Sequence, residues 1–128
     1  MNFKYLLDSS ALLAYLHRER GADIVAKILD ESAITTVNLS EVLTKLVLGG
    51  VTAQQAQDTV RSLEVTVLPF DESLAMEGAD LCGLARSHGL SLGDRACLAA
   101  ARRRKVTAVT TDQAWKIAGL NVNVRVIR

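Results

Sequence analysis

The 128-residue chain contains only two cysteines, one proline and 4% aromatic residues, and it lacks long apolar runs. Cys82 and Cys97 form no CxxC pair and fall within helical patterns, so we expect reduced core residues of a cytoplasmic protein. No uninterrupted apolar stretch approaches the roughly 20 residues that cross a bilayer, and we expect no membrane contact. The first apolar run starts within a few residues of Met1, so we expect no signal peptide.

The composition is that of a globular protein. Hydrophobic residues make up 49% of the chain and charged residues 23%, which distinguishes it from disordered sequences. The length suggests one domain, residues 1–128, with a proper hydrophobic core. A net charge of +1 indicates little about partners by itself.

Strand-like and helical patterns alternate along the chain. Short apolar β-type runs predict strands at 3–7, 33–38, 65–70, 106–111 and 122–127. Helical spacing of apolar residues predicts helices at 11–17, 24–29, 39–48, 52–63, 72–87, 92–104 and 113–118. This alternation predicts an α/β fold with a mostly parallel sheet flanked by helices. Such sheets place their functional sites at the carboxyl ends of the strands.

Four acidic residues fall where that edge is expected. Asp8 ends the first strand, Asp112 follows the fourth, and Glu41 and Asp94 are expected in the first turns of two helices. Crowded carboxylates repel one another unless a cation neutralises them, and a hard divalent ion such as Mg²⁺ or Mn²⁺ prefers oxygen ligands. Such an ion activates water and stabilises a phosphoryl group, so the pattern indicates metal-dependent phosphodiester hydrolysis.

Each acid also has a purely structural explanation. Asp8 and Asp112 can cap the helices that follow them, and the segments 38–41 (NLSE) and 91–94 (SLGD) both resemble capping boxes. The joint placement of four acids is harder to explain by capping, and Asp94 lies above an apolar helical stripe.

Other chemistries find little support. The chain has no GxGxxG or GxxxxGK motif, and His17 and His88 are isolated. The basic run 102–105 (RRRK) suits a helix C-terminus and is an alternative candidate for an RNA contact. Without the four acids, 15 basic residues remain against 10 acidic ones, a modest excess that suits a polyanionic partner.

Four segments carry a family resemblance: LLDSSALLAYL, NLSEVL, LSLGDRACLAAA and VTTDQAW. In this order and spacing they resemble the motifs of the PIN domain, especially the VapC-type toxins of type II toxin–antitoxin pairs. The resemblance covers essentially the whole chain. The positions that match the family's acidic quartet and its two neighbouring polar residues are Asp8, Glu41, Asp94, Asp112, Ser10 and Thr110.

The resemblance implies a ribonuclease that uses Mg²⁺ or Mn²⁺, a cognate VapB-like antitoxin that occludes the site, and a homodimer. Asp8 and Asp94 are the first-choice direct ligands, with Glu41 and Asp112 completing the site directly or through water. The pairs Ile24/Ile28 and Leu43/Val47 are candidates for an exposed groove, although core packing explains them equally well.

Two alternatives stay open. One is a PIN nuclease of RNA maturation that has no antitoxin. The other is a non-catalytic Mg²⁺-binding α/β module of the receiver type. A receiver needs an aspartate at the end of its central strand and a lysine after a late strand. Here the third strand ends in Leu68-Pro69-Phe70 and no lysine directly follows the fourth, which disfavours that alternative.

Overall fold

A five-stranded parallel sheet forms the centre of the fold in this computed structural model, which describes residues 2–83, 89–115 and 120–128. The strands lie in the order β3-β2-β1-β4-β5, and every neighbouring pair is parallel. The α/β class and the parallel sheet expected from the sequence are therefore confirmed. The strands are β1 (Tyr5–Leu7), β2 (Ser32–Thr35), β3 (Thr66–Leu68), β4 (Thr107–Thr110) and β5 (Val124–Val126).

Helices cover both faces of the sheet. Over the described ranges they are α1 (Ser9–Leu16), α2 (Ala22–Ile28), α3 (Thr36–Leu48), α4 (Ala53–Ser62), α5 (Glu72–Asp80) and α6 (Leu92–Arg104). Two short 3-10 helices span Leu29–Glu31 and Gln113–Trp115. No helix in the described part of the chain is long and apolar enough to span a bilayer.

The central strand β1 divides the core into two clusters. Successive side chains of a strand point to opposite faces, so Leu6 and Leu7 enter different clusters. Leu6 packs with α5 and α6, whereas Leu7 packs with residues of α1, α2, α3 and α4. The middle of α6, from Ala96 to Ala101, is buried on all sides, as its apolar sequence predicts.

The second strand is shorter than expected. It ends at Thr35, whose hydroxyl accepts a hydrogen bond from the Asn38 amide and so caps α3. The β-type residues Thr36 and Val37 therefore begin a helix, because the cap outweighs their weak strand preference. As a result Glu41 lies in the second turn of α3 and outside its first.

One expectation about buried residues is corrected: Cys97 is buried as expected, but Cys82 is exposed. Ile24 and Ile28 pack in the core, which was the alternative to a groove for this pair. Leu43 does line a groove of about 360 Å³ beside α4. The expected helical residues 84–87 and 116–118, and His88, lie outside the described residues.

Candidate functional site

Asp8 stands at the carboxyl end of β1 and is only 4% exposed. Its Oδ1 atom accepts hydrogen bonds from the Ala11 amide at 2.8 Å and from the Ser10 hydroxyl at 2.7 Å. Its Oδ2 atom accepts one from the Thr110 hydroxyl at 2.6 Å. The carboxylate thus caps α1 and also joins β1 to the end of β4.

Two hydroxyls fix the turn that carries Asp112. Thr110, the last residue of β4, accepts a hydrogen bond from the Asp112 amide at 3.0 Å. Ser10 accepts one from the Thr111 amide, also at 3.0 Å. Each hydroxyl donates its proton to Asp8, so Ser10 and Thr110 tie the two acidic turns together.

Burial raises the pKa of Asp8 to about 6, because the ionised form is poorly solvated there. The hydrogen bonds from Thr110, Ala11 and Ser10 oppose this shift, since they favour the carboxylate. The negative charge of Asp94 raises the pKa further. At neutral pH Asp8 is therefore ionised at a cost in free energy, and a nearby cation would reduce that cost.

Asp94 lies in the first turn of α6 and is half-buried. It forms the expected capping box: its amide donates to the Ser91 hydroxyl at 3.2 Å, and its Oδ2 atom accepts from the Ser91 amide at 3.0 Å. Burial raises the pKa of Asp94, the hydrogen bonds from Ser91 lower it, and the charges of Asp112 and Glu41 raise it. Asp94 is thus within electrostatic reach of each of the other three acids, Asp8, Glu41 and Asp112.

Glu41 reaches from α3 to the start of α6. Its Oε1 atom accepts a hydrogen bond from the Asn38 side-chain amide at 3.1 Å. Its carboxylate occupies the space that a Cβ atom on Gly93 would need. The capping box expected at 38–41 is absent, because Thr35 is the N-cap of α3. Asn38 is the polar residue whose role the sequence did not reveal, although its three-residue spacing from Glu41 on a helix was visible.

Asp112 is exposed just after β4. Its Oδ1 atom accepts a hydrogen bond from the Ala114 amide at 2.9 Å and caps the 3-10 helix Gln113–Trp115. This agrees with the expected capping role and leaves the carboxylate open to solvent.

The acids have no cationic partner among the described residues, where the ion pairs involve only other carboxylates. Arg95 follows Asp94 in the chain, but its side chain makes other contacts. Its guanidinium donates to the Ser91 carbonyl at 3.4 Å and lies 4.0 Å from the Cys82 sulfur. The negative charge of the site is therefore uncompensated by the protein residues that the structure describes.

The site fits a hard divalent cation by the chemistry of its donors, which are carboxylate and hydroxyl oxygens. The raised pKa values of Asp8 and Asp94 support this, because they result first from burial and then from neighbouring negative charge, and a bound cation would favour the ionised forms. The side chains do not yet converge on one point: the described residues hold no group of three or more His, Cys, Asp or Glu placed to bind a metal. Asp8, Asp94 and Asp112 are instead held in capping hydrogen bonds.

The family model described as PIN domain matches residues 5–119. The chain belongs to the PIN domain family. PIN domains are nucleases, which supports a hydrolase. The match spans all four acids and most of the sheet. Comparison with curated proteins gives no match.

Solved structures share this PIN fold across nearly their whole length. A toxin–antitoxin complex from Klebsiella pneumoniae is 18% identical with a TM-score of 0.72, covering 97% of this chain and 98% of that one. DNA-bound VapBC from Salmonella typhimurium is 13% identical with a TM-score of 0.76, covering 98% and 99%. VapBC-5 from Mycobacterium tuberculosis is 28% identical with a TM-score of 0.63, covering 96% of both chains.

Proposed function

We propose that this PIN domain is a Mg²⁺- or Mn²⁺-dependent endoribonuclease and the toxin of a type II toxin–antitoxin pair. The observation that carries the proposal is the acidic site itself. Asp94 interacts electrostatically with each of the other three acids, and none of the four forms an ion pair with a described basic residue, which supports the proposal. Family membership adds that a PIN domain is a nuclease fold.

In this proposal Asp8 and Asp94 bind the metal directly, and Glu41 and Asp112 complete its shell directly or through water. The bound ion would supply an activated water and charge stabilisation at the scissile phosphate. Ser10 and Thr110 favour the ionised form of Asp8, because each donates its hydroxyl proton to the carboxylate. Asp112, which is exposed, is the acid best placed to orient the attacking water.

RNA is the proposed substrate and an antitoxin the proposed partner. The basic excess outside the four acids suits a polyanion. The similar structures are described as toxin–antitoxin complexes, which supports a VapB-like antitoxin for this chain. A homodimer and a cytoplasmic location belong to the same proposal.

Cleavage of a structured RNA by the purified protein tests the enzyme. We expect activity with Mg²⁺ or Mn²⁺ and none after EDTA, because the carboxylates alone supply no electrophile. Readdition of Mn²⁺ after EDTA is the control for irreversible damage. Undiminished cleavage in the chelator would contradict the metal mechanism.

A further inference from the structure

Asn38 is a buried polar residue in the first turn of α3, with an exposed fraction of 1%. Its side-chain amide nitrogen donates to Glu41 Oε1 and to the Gly93 carbonyl, each at 3.1 Å. Its side-chain oxygen accepts a hydrogen bond from the Thr35 hydroxyl, with 2.7 Å between the two oxygen atoms. Every polar atom of the side chain therefore has a partner, and two of the three contacts lead to the acidic site.

The partners fix the orientation of the amide. Thr35 Oγ1 already accepts the Asn38 backbone amide at 3.2 Å, so its own proton is free to go to the Asn38 side-chain oxygen. The side-chain nitrogen of Asn38 donates to two acceptors, the Glu41 carboxylate and the Gly93 carbonyl. A flipped amide would set its oxygen against both, so only the donating orientation satisfies the network.

This hydrogen-bond network links α3 and α6 close to their acidic residues, Glu41 and Asp94. Gly93 directly precedes Asp94 in α6, and Glu41 lies one turn beyond Asn38 in α3. The Glu41 carboxylate fills the space beside Gly93 that any larger residue would occupy. Asn38 thus holds the carboxylate of one helix against the backbone that carries the next acid.

We propose that Asn38 is a positioning residue that sets the placement of Glu41 relative to Asp94 and thereby the metal affinity of the acidic site. The inference rests on the proposed metal-dependent function. Hydrogen-bond partners of metal ligands typically change metal affinity by about 10- to 100-fold when removed. Loss of the Asn38 amide is therefore expected to weaken divalent-ion binding while leaving all four acids in the chain.

The test is Mn²⁺ titration of the RNA-free full chain by calorimetry. Asn38→Ala is expected to bind Mn²⁺ at least about tenfold more weakly than the wild type. Ser32→Ala is the matched control, because it also removes a buried hydrogen bond, from Ser32 Oγ to the Ile28 carbonyl at 2.7 Å, at the other end of β2. The inference is overturned if Asn38→Ala loses no more Mn²⁺ affinity than Ser32→Ala.

Gly93→Ala provides a second route that does not depend on Asn38→Ala folding. Alanine is favoured over glycine in a helix, and the three atoms nearest to the added Cβ belong to the flexible end of Glu41. The carboxylate must move, so Mn²⁺ affinity should fall while the metal-free melting temperature is undiminished. Wild-type affinity in Gly93→Ala would contradict the claim that Glu41 placement matters.

RNA cleavage assays distinguish a positioning role of Asn38 from a catalytic one. They also distinguish failure of this inference from failure of the proposed function. If Asn38 acts through metal affinity, raising Mn²⁺ should restore cleavage by Asn38→Ala but not by Asp94→Asn. A wild-type protein that binds Mn²⁺ but cleaves no RNA would refute the proposed activity and leave the affinity test of Asn38 intact. A wild-type protein that binds no Mn²⁺ would overturn both.

Discussion

Asp8 caps α1 and is also a candidate metal ligand, and the two roles require different properties of its side chain. A cap needs only an oxygen that accepts the Ala11 amide, which asparagine also supplies. A metal ligand needs the charge. The elevated pKa of about 6 shows that the folded protein disfavours that charge in the absence of a cation. Capping alone would not require an acid here.

Replacing either Asp8 or Asp94, the two proposed direct metal ligands, by asparagine should abolish RNA cleavage without lowering the stability of the metal-free protein. For Asp8→Asn we expect a gain of up to about 3 kcal/mol at neutral pH, the equivalent of a pKa raised from 3.8 to about 6. Asp94→Asn should gain as well, because no charge is then buried at this position and the charges of Asp112 and Glu41 no longer repel it. Urea unfolding in EDTA and RNA cleavage measure the two effects. Full activity in both variants would leave the acids as caps only.

The same carboxyl predicts a pH dependence of stability. The native pKa of Asp8 is higher than its unfolded value of 3.8, so the native state binds more protons between pH 4 and pH 6. The contribution of Asp8 to stability is therefore highest below about pH 4 and is lost as pH rises through about 6. The stability advantage of Asp8→Asn over the wild type, measured in EDTA, should shrink as pH falls from 7 to 4. A constant difference across this range would contradict the raised pKa.

At the scale of the elements, α6 and α4 offer a matched comparison. Both begin with a capping box, formed by Ser91 and Asp94 in α6 and by Thr52 and Gln55 in α4. Only the first box includes an acid of the candidate site. The fold therefore contains one capping box at the acidic edge of the sheet and one away from it.

Ser91→Ala and Thr52→Ala should each cost about 1 kcal/mol of stability, since each removes an N-cap oxygen. Only Ser91→Ala should also weaken Mn²⁺ binding, because Asp94 loses the partner that fixes its backbone amide. Thermal unfolding in EDTA and Mn²⁺ titration give the two readouts. Equal Mn²⁺ affinity in both variants would show that the α6 capping box does not support the site.

At the scale of the whole molecule, charge is unevenly distributed. The four acids of the candidate site lie at the carboxyl edge of the sheet, and the basic run 102–105 lies at the opposite end of α6, about 12 to 17 Å from Asp94 by helix length. Arg103 in that run pairs with Asp71 and Glu77, and Arg104 lies over the Phe3 ring. The basic run is therefore partly committed to the fold and is separate from the acidic site.

A partner for the acidic edge should carry positive charge. We expect the protein encoded by a short neighbouring reading frame to insert an arginine or lysine among the carboxylates. Co-expression followed by size-exclusion chromatography should give a stable complex, and the complex should lose RNA cleavage. Asp8→Asn, with the same fold and one charge fewer, should weaken the complex. A neighbouring gene product that does not bind would favour a PIN nuclease without an antitoxin.

The sequence by itself determined the α/β class and the parallel sheet, and it indicated that Asp8 and Asp112 follow the ends of two strands. Apolar periodicity reports which face of an element is buried, and parallel strands bring their carboxyl ends to one edge. For this reason the sequence also predicts that Asp8 and Asp94 lie at a common edge. The capping roles of Asp8 and Ser91 were equally visible, because caps depend on residues three positions apart.

Only the tertiary structure decided what depends on contacts between distant segments. Thr110 reaches Asp8 from 102 residues away, and Asn38 reaches Gly93 from 55 residues away. Neither contact follows from spacing, because crossing elements set both. The same holds for the exposure of Cys82. The end of β2 differs, because a local cap, Thr35, begins α3 within a β-type run. Sequence pattern places a residue on an element, whereas the packing of elements selects the partner of each polar atom.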